Sequence, residues 1–486
     1  MSGRPHLAQE YAAAVPGLSI PWQARSVASP ELVAIDEGLS AELGLDVGWL
    51  RSEEGVRFLA GQVPEDVPTI AEAYAGHQFG VYSPRLGDGR ALLLGELRAP
   101  DGRIVDLHLK GSGRTPFSRG GDGLAALGPM LRELLVGAAL HAQGIPTTRA
   151  LAVVRTGEDV WREGGPQPGA ILCRVASSHL RVGTFQYAAS MGEQGPLAEL
   201  AAYAVRRHAP EAASAEVPAL ALLEHVVAAQ AELVAQWMLA GFVHGVMNTD
   251  NMAISGESID FGPCAFLDAY DPDAVFSSID TGGRYRFGNQ PAAAMWNLAR
   301  FAESLLPLMA ADPRDAAEPA LAAVRAFEPA YTASFSTGLA RKLGLAVPDD
   351  ELQLELLGAM AATRMDWTAW LRALAEGREG ELLDSRAVDS TGEGVGRLRA
   401  WISRWEAALS EGRDAARPAM LAANPAIIPR NDRVEAALEA AVEGDLGPFE
   451  RLLAAVSSPY EVRAGDEDLA APPPADAPPV VTFCGT

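Results

Sequence analysis

The hydrophobic pattern of the chain changes near residue 176. Before that point, glycine and proline separate short apolar runs such as ALLLGEL, which predicts strands joined by tight turns. The segment RIVDLHLKG alternates, so that Lys110 points away from the face of Leu107 and Leu109. Beyond residue 176, and above all from about 290 to 455, apolar residues recur at helical spacing. Strands followed by helices predict an α+β fold.

Length and charge narrow the classes of function. With 486 residues, 48% of them apolar, the chain is long enough for two or three cores. A formal charge of −24 offers no basic face to nucleic acid or an anionic membrane, so we expect neither partner. The apolar stretch 222–243 is interrupted by Glu224 and Glu232 and predicts a buried helix. Three cysteines are too few for a disulfide framework and lack the spacing of a zinc site, and no secretion signal is visible, so we expect the cytoplasm.

Four features occur in an order that suits nucleotide chemistry. A Gly-rich turn, GDGR at 87–90, comes first, and Lys110 follows on a predicted strand. Glu133 lies 23 residues further on, in a helix that begins near Pro129. HGVMNTDN and DFG complete the series. Alone, such a turn is usually a hairpin and such a Lys–Glu pair a surface pair. Together they predict a site for a nucleoside triphosphate and Mg²⁺.

The segment HGVMNTDN departs from the protein-kinase motif H-R-D-x-x-x-x-N. Asn251 lies seven residues after His244, as the metal-binding asparagine of that motif does, but Val246 occupies the position of the base. The nearest acid is Asp250. Either Asp250 has taken over the role of the base, or the site performs a different transfer, or the protein binds nucleotide without turnover. Asp260 of DFG is the expected metal ligand in each version.

Two further groups are candidate nucleotide contacts. Arg174 and Arg181 flank the connection VASSHL, where arginines can clamp a polyphosphate, although two arginines so spaced are more often surface residues. GGDGLA matches G-x-G-x-x-A, but no strand runs directly into its first glycine, so the dinucleotide reading is weak. We interpret Asp122 and Gly123 as a loop that faces the phosphates or the ribose.

At these residues the chain resembles the selenoprotein O family, also called the YdiU family. The resemblance extends over roughly 70–435. It covers AYAGHQFGVYSPRLGDGRALLLGEL, DLHLKGSGRTPFSRGGDGLAALGPMLRELL, GFVHGVMNTDNMAISGESIDFGPCAFLD, RYRFGNQP and NPAIIPRN. It implies a protein-kinase-like bilobal fold, with a β-rich first lobe and a helical second lobe. The expected divisions are an N-terminal extension at 1–65, lobes at 66–175 and 176–345, a helical region at 346–462 and a flexible tail at 463–486.

The resemblance also implies an activity, protein adenylylation. AMP would pass from ATP, bound in a flipped orientation, to Ser, Thr or Tyr hydroxyls of proteins, the chain itself among the candidate targets, with release of pyrophosphate. Mg²⁺ or Mn²⁺ would be held by Asn251 and Asp260, and Asp250 would accept the proton. The implied nucleotide contacts are Gly87, Gly89, Arg90, Lys110 with its partner Glu133, Asp122, Gly123, Arg174, Arg181 and Asp260.

A second hypothesis concerns the C-terminus. Many eukaryotic members of the family end close to a selenocysteine, whereas this chain has Cys484 third from its end. The family's redox link carries over as a Cys264–Cys484 disulfide that tethers the tail beside the active site. From the residues alone, the simpler reading is that Cys264 is a small buried side chain and that Cys484 is a thiol without a function.

Two other activities remain open from the residues. An ATP-dependent protein kinase would release ADP and leave phosphate on its target, and the valine at the base position argues against it. A nucleotide-binding pseudokinase scaffold would transfer nothing. Two hard-oxygen ligands at the correct spacing, Asn251 and Asp260, have little use without a divalent metal, which argues against the scaffold.

Overall fold

Most strands of the protein lie in its first 176 residues. The computed structural model describes residues 3–64, 67–162, 164–192, 195–385, 392–473 and 480–483. The strands are β1 (Ser19–Pro21), β2 (Glu31–Ile35), β3 (Ile70–Glu72), β4 (Gly76–Gln78), β5 (Val81–Ser83), β6 (Ala91–Arg98), β7 (Ile104–Lys110), β8 (Arg149–Arg162), β9 (Gly165–Ala176), β10 (Phe242–Val243) and β11 (Ala265–Phe266). Seven of them form one antiparallel sheet in the order β1-β3-β6-β7-β9-β8-β2.

Helices dominate the remainder of the chain. In the first part they are α1 (Glu10–Ala14), α2 (Glu37–Glu42), α3 (Val47–Leu50), α4 (Glu53–Leu59) and α5 (Leu127–Ala142). The later helices are α6 (Val182–Ser190), α7 (Leu197–His208), α8 (Pro218–Ala240), α9 (Gln290–Met309), α10 (Pro313–Arg325), α11 (Phe327–Lys342), α12 (Asp350–Thr363), α13 (Trp367–Glu376), α14 (Glu379–Ser385), α15 (Glu393–Ala408), α16 (Arg413–Ala423), α17 (Asn431–Glu443), α18 (Gly447–Val456) and α19 (Glu467–Ala470). The expected mixture of a sheet with following helices is confirmed.

The two faces of the sheet pack against different helices. Leu107 and Leu109 of β7 are buried with Leu39 of α2 and Leu59 of α4, on the face predicted from the alternation. The opposite face, with Leu172 of β9, packs against α5. The alternation therefore directs Lys110 to the side of the sheet that carries α5.

Helix α5 is the predicted helix that carries Glu133. It begins at Leu127, so Pro129 falls in the first turn, where a missing N–H costs no intrahelical bond. Leu131, Leu134 and Leu135 face the sheet, and α17 and α18 cover the helix from outside. Burial on both sides fixes the position of Glu133 relative to β7.

Helix α8 runs through the centre of the helical part. Its 23 residues are long and apolar enough to cross a membrane, but Leu222, Val226 and Val234 are fully buried among the neighbouring helices. The predicted buried helix is therefore confirmed. It ends at Gly241, whose φ of +70° lies in the left-handed region that glycine adopts at low cost.

Two C-terminal segments contain buried residues that contact the rest of the fold. The turn-rich patch 424–431 carries the buried Arg430, which donates hydrogen bonds to Asp268 (2.5 Å) and Asp366 (2.9 Å). In the predicted tail, Leu469 is buried beside α18, and Thr482 is buried and pairs with residues 276–278, whereas Val481 and Phe483 are exposed. The flexibility of the tail stays a prediction.

Candidate functional site

One cavity of about 450 Å³ collects the predicted site residues. The nucleotide and metal candidates that line it are Gly87, Gly89, Arg90, Lys110, Asp122, Gly123, Glu133, Arg174, Arg181, Asp250, Asn251 and Asp260. A wider hollow of about 950 Å³ beside Trp22 adjoins it at Asp122 and Leu124, but lies away from the charged cluster around Asp260. The smaller cavity is therefore the candidate site.

Three cations converge on Asp260. Lys110 Nζ and Arg174 Nη1 donate to its Oδ1 at 2.7 and 2.8 Å, and Arg181 Nη1 donates to its Oδ2 at 2.8 Å. Lys110 also donates to Glu133, the predicted partner. Although burial alone would raise the pKa of Asp260, the charges of Lys110, Arg174 and Arg181 outweigh it and hold that pKa well below its usual range. Asp260 is thus ionised at neutral pH.

The fold explains this convergence. Arg174 in β9 lies opposite His108 in β7, so Arg174, His108 and Lys110 project from the same face of the sheet. Arg181 precedes α6, and its guanidinium lies 4.7 Å above the ring centre of Tyr74. Asp260 has a φ of +64°, an uncommon conformation for a residue with a side chain. The turn at Asp260 therefore brings its carboxylate to the end of the sheet.

Two glycines of the cavity, one in the Gly-rich turn and one in the loop of Asp122, are closely packed. Gly87 has a φ of +71°, and a Cβ there would lie 2.4 Å from the Phe117 ring. Gly123 has a φ of +72°, and a Cβ there would lie 2.3 Å from the carbonyl carbon of Gly113. Neither position accepts a side chain without movement of its neighbours. Backbone N–H groups in such turns can approach phosphates closely.

The loop that carries Asn251 is fixed by buried hydrogen bonds. His244 faces the carbonyl of Ile259 through Nε2 at 2.8 Å, and its backbone N–H donates to Gln290 at 2.9 Å. Asn251 donates its amide N–H to the carbonyl of Val246 at 3.0 Å. This bond directs the side-chain amide of Asn251 so that its oxygen stays available as a ligand.

Asp250 is a buried carboxylate at the wall of the cavity. Gln78 of β4 donates to its Oδ2 at 3.2 Å, whereas its Oδ1 has no hydrogen-bond partner among the described residues. Burial raises the pKa of Asp250 to about 6. Above that pH the group is ionised and can accept a proton.

Several cavity residues were not predicted from the sequence. Tyr74 and Gln78 come from short segments without a helical or alternating pattern. Arg162, at the end of β8, donates to Asp122 at 2.8 Å and orients the predicted loop. Asp88 lies between the two glycines of the turn and is fully buried against His108. The alternation of β7 places His108 on the face of Lys110, so the sequence already indicated that His108 lies near the site.

Asp88, His108 and Glu72 form a compact buried group. Their potential ligand atoms lie within 4.8 Å of one another. Asp88 Oδ2 accepts from the backbone N–H of Glu72 at 3.1 Å and faces His108 Nε2 at 3.0 Å. Burial, followed by the charge of Asp88, raises the pKa of Glu72 well above its usual range. The group therefore connects the Gly-rich turn to the strand of Lys110.

Cys264 does not line the cavity. It is buried, and its thiol donates to the carbonyl of Phe261 at 3.2 Å. Burial raises the pKa of this thiol to about 12. Cys484, its predicted disulfide partner, lies outside the described residues. Thr482, two positions earlier, donates to the carbonyl of Pro263 at 2.7 Å.

Known proteins resemble this chain over nearly its whole length. The family model described as "Protein adenylyltransferase SelO" matches residues 9–457. A relative named protein nucleotidyltransferase YdiU from Mycolicibacterium paratuberculosis is 54% identical, over 97% of this chain and 96% of its own length. A relative of the same name from Cereibacter sphaeroides is 53% identical, over 98% of both chains. The chain therefore belongs to the SelO family of protein adenylyltransferases.

Proposed function

We propose that this enzyme transfers AMP from ATP to Ser, Thr or Tyr hydroxyls of proteins. The convergence of Lys110, Arg174 and Arg181 on Asp260 in the cavity is the observation that carries the proposal. A triphosphate brings several negative charges, and these cations would hold its terminal phosphates by charge-assisted hydrogen bonds. With the terminal phosphates held by these cations, the α-phosphorus would lie further along the cavity.

Asp250 suits the acceptor side of the reaction. The acceptor oxygen would attack the α-phosphorus, its proton would pass to the Asp250 carboxylate, and the bond to the β-phosphate would break to release pyrophosphate. The hydrogen bond from Gln78 orients the carboxylate without occupying its second oxygen. Val246, which replaces the base of the protein-kinase motif, is buried and offers no proton acceptor.

Asn251 and Asp260 are the residues that would hold Mg²⁺ or Mn²⁺. Carboxylate and amide oxygens are the ligands such ions prefer, and Asp260 is ionised at neutral pH. The bound ion would neutralise charge on the phosphates. Asn251 and Asp260 line the same cavity.

The kinase-like division of the chain belongs to the same proposal. The sheet with α5 would form the first lobe and the helices around α8 the second, with the boundaries 66–175 and 176–345. Residues 1–65 would be an extension, 346–462 a helical region and 463–486 the tail. We propose the cytoplasm as the place of action and cytoplasmic proteins, including this chain itself, as acceptors; the chain's charge of −24 supports partners other than nucleic acid and anionic membranes.

Product analysis tests the proposed transfer. The purified protein is incubated with ATP, a lysate and Mg²⁺ or Mn²⁺, and the small products are separated by anion exchange. Pyrophosphate formed in step with modified protein is expected. ADP formed in that proportion would instead establish a protein kinase. Nucleotide binding without either product would establish a scaffold.

The redox hypothesis gains support from Thr482. Its hydrogen bond to Pro263 holds the chain next to Cys264, two residues before Cys484. Disulfide formation would transfer two electrons from the thiols to an oxidant such as oxidised glutathione, with loss of two protons. Because the Cys264 thiol is buried and protonated, we propose that Cys484 supplies the attacking thiolate.

A single variant tests this redox proposal. Activity of the wild type is expected to differ between reduced and oxidised glutathione buffers, and Cys484→Ser is expected to remove that difference. An equal response in both proteins would exclude this disulfide as the control.

A further inference from the structure

We infer that His108 is a positioning residue that couples the Gly-rich turn to Arg174. Its imidazole lies between Asp88 and Arg174, with one ring nitrogen toward each. The inference rests on the proposed nucleotide site, because both neighbours belong to elements that line that cavity. His108 itself does not line the cavity and acts through these neighbours.

The neighbours determine the tautomer of His108. Nε2 lies 3.0 Å from Asp88 Oδ2, which can only accept, so Nε2 carries the proton. Nδ1 faces Arg174 Nη2 at 3.5 Å, a long contact with a group that can only donate, so Nδ1 is unprotonated. The imidazole is therefore neutral, with a donor at one end and an acceptor at the other.

The surroundings keep the imidazole in this state. His108 and Asp88 have fully buried side chains. His179 stacks on His108 with ring centres 4.0 Å apart, and it faces Asp106 at 3.2 Å through Nδ1. Burial is also the main cause that lowers the pKa of His108, which agrees with a neutral ring.

Each end of the imidazole restrains a proposed phosphate-binding element. On one side, Asp88 accepts from His108 and from the Glu72 backbone, which fixes the turn between Gly87 and Gly89. On the other side, Arg174 has one terminal nitrogen toward His108 and the other on Asp260 at 2.8 Å. The imidazole thus limits rotation of the guanidinium from the side opposite the cavity.

Glutamine can replace this function, whereas an apolar side chain cannot. A Gln amide at position 108 offers one donor and one acceptor, as the neutral imidazole does. Methionine fills similar space but offers neither a strong donor nor a strong acceptor. We expect His108→Met to weaken ATP binding about tenfold, since Asp88 and Arg174 lose a buried partner. We expect His108→Gln to stay within about threefold of the wild type.

A double-mutant cycle distinguishes a positioning role of His108 from a general loss of stability. The Kd for ATP is measured by calorimetry for the wild type, His108→Met, Arg174→Ala and the double variant, and thermal melting is followed in parallel. If His108 acts through Arg174 as well as through Asp88, His108→Met is expected to weaken ATP binding by only about threefold in the Arg174→Ala background, because the contact with Asp88 is still lost there. A full tenfold effect in that background would overturn the inference.

The Gln variant distinguishes positioning from metal ligation. If His108 served with Asp88 and Glu72 as a ligand to a cation, Gln would fail as Met does. Equal impairment of both variants therefore overturns the inference. The Kd for ATP does not depend on which phosphorus is transferred. The comparison of the Met and Gln variants therefore still tests the role of His108 if the proposed AMP transfer is wrong.

If His108→Met does not fold, ¹⁵N spectra of the histidine-labelled wild type test the inference through the tautomer of His108. A neutral Nε2–H tautomer at His108 is expected between about pH 6 and 8, with its assignment checked in His108→Gln. An Nδ1–H tautomer or an imidazolium would contradict the bonding to Asp88 and Arg174.

Discussion

At the scale of a single residue, Asp260 combines burial with a negative charge. Its carboxylate is almost surrounded by protein, yet it is ionised because Lys110, Arg174 and Arg181 lie against it. A nucleotide with its metal would replace part of this pairing, since phosphates attract the cations and the metal attracts the carboxylate. The charges of the site would therefore suit both components of the proposed substrate.

Asp260→Ala is expected to abolish metal-dependent transfer, with a loss of at least about 100-fold. ATP binding without metal is expected to persist, because the Asp260 carboxylate no longer competes with the phosphates of ATP for the three cations. Transfer is measured with ATP labelled in the α-phosphate, and binding by calorimetry with and without Mg²⁺. Asp273→Ala is the matched control, since that exposed acid pairs with Arg286 at the surface. Normal turnover by Asp260→Ala would remove it from the site.

Asp250→Asn tests the proposed proton acceptor. The amide keeps the volume of the carboxylate but cannot accept the proton, so kcat is expected to fall by about 10² to 10⁴. The KM for ATP is expected to change little, because the Asp250 carboxylate accepts from Gln78, while Arg181 donates to the backbone carbonyl of Asp250, which the substitution keeps. Initial rates at varied ATP give both constants. A kcat within a few-fold of the wild type would assign Asp250 a structural role.

At the scale of elements, β7 shows which structural features a local sequence pattern predicts. Alternation in β7 correctly predicted the face of Lys110, and the sequence spacing brought Asn251 to the same cavity as Asp260. Tyr74 and Gln78 could not be predicted, because their positions depend on contacts with residues more than 100 positions away. Arg430 was missed because an isolated arginine is normally exposed.

Gly87→Ala is expected to weaken ATP binding about tenfold or more, because both the left-handed backbone and the Phe117 ring oppose a Cβ. Gly102→Ala is the matched control. Gly102 has a φ of +90° but no atom within 4 Å of its Cβ position, so it tests the backbone effect alone. Calorimetric Kd values compare the two variants. Equal weakening of ATP binding in both would exclude a specific role for the turn.

Arg430→Met is expected to destabilise the fold by about 3 kcal/mol, because it leaves Asp268 and Asp366 without their buried partner. The free energy of unfolding is measured in urea. In the control Arg433→Met, a partly exposed pair with Asp432 is lost, and the expected cost is below about 1 kcal/mol. A similar small cost for Arg430→Met would show that the C-terminal helices do not depend on this contact.

At the scale of the whole molecule, a cluster of cations lies inside a strongly acidic protein. The formal charge is −24, yet Lys110, Arg174 and Arg181 line one cavity and converge on Asp260. This cluster would attract the phosphates of the proposed nucleotide. The buried Arg430 and the docked Thr482 attach C-terminal segments to the residues that follow Asp260. The site thus depends on contacts along most of the chain.

Stability of the whole fold is expected to depend on pH through Glu257. This carboxylate accepts hydrogen bonds from Ser177 and Ser255, and burial raises its pKa from 4.5 to about 7. The folded state holds a proton that the unfolded state releases between these values, so stability falls as pH rises from 4.5 through 7. Relative to Glu257→Gln, which cannot ionise, the wild type is expected to lose about 1 to 3 kcal/mol.

Urea unfolding of the wild type and Glu257→Gln at several pH values measures this difference. Parallel stability curves from acid to neutral pH would show that the folded-state pKa of Glu257 is not raised.

The position of the transferred label tests the proposed function most directly. The protein is incubated with Mg²⁺ or Mn²⁺ and with ATP labelled at either the α- or the γ-phosphate, and the labelled proteins are separated by denaturing gel and weighed intact. We predict label from the α-phosphate only, with the added mass of AMP. Label from the γ-phosphate, with the added mass of a phosphate, would contradict AMP transfer and assign the site to a kinase.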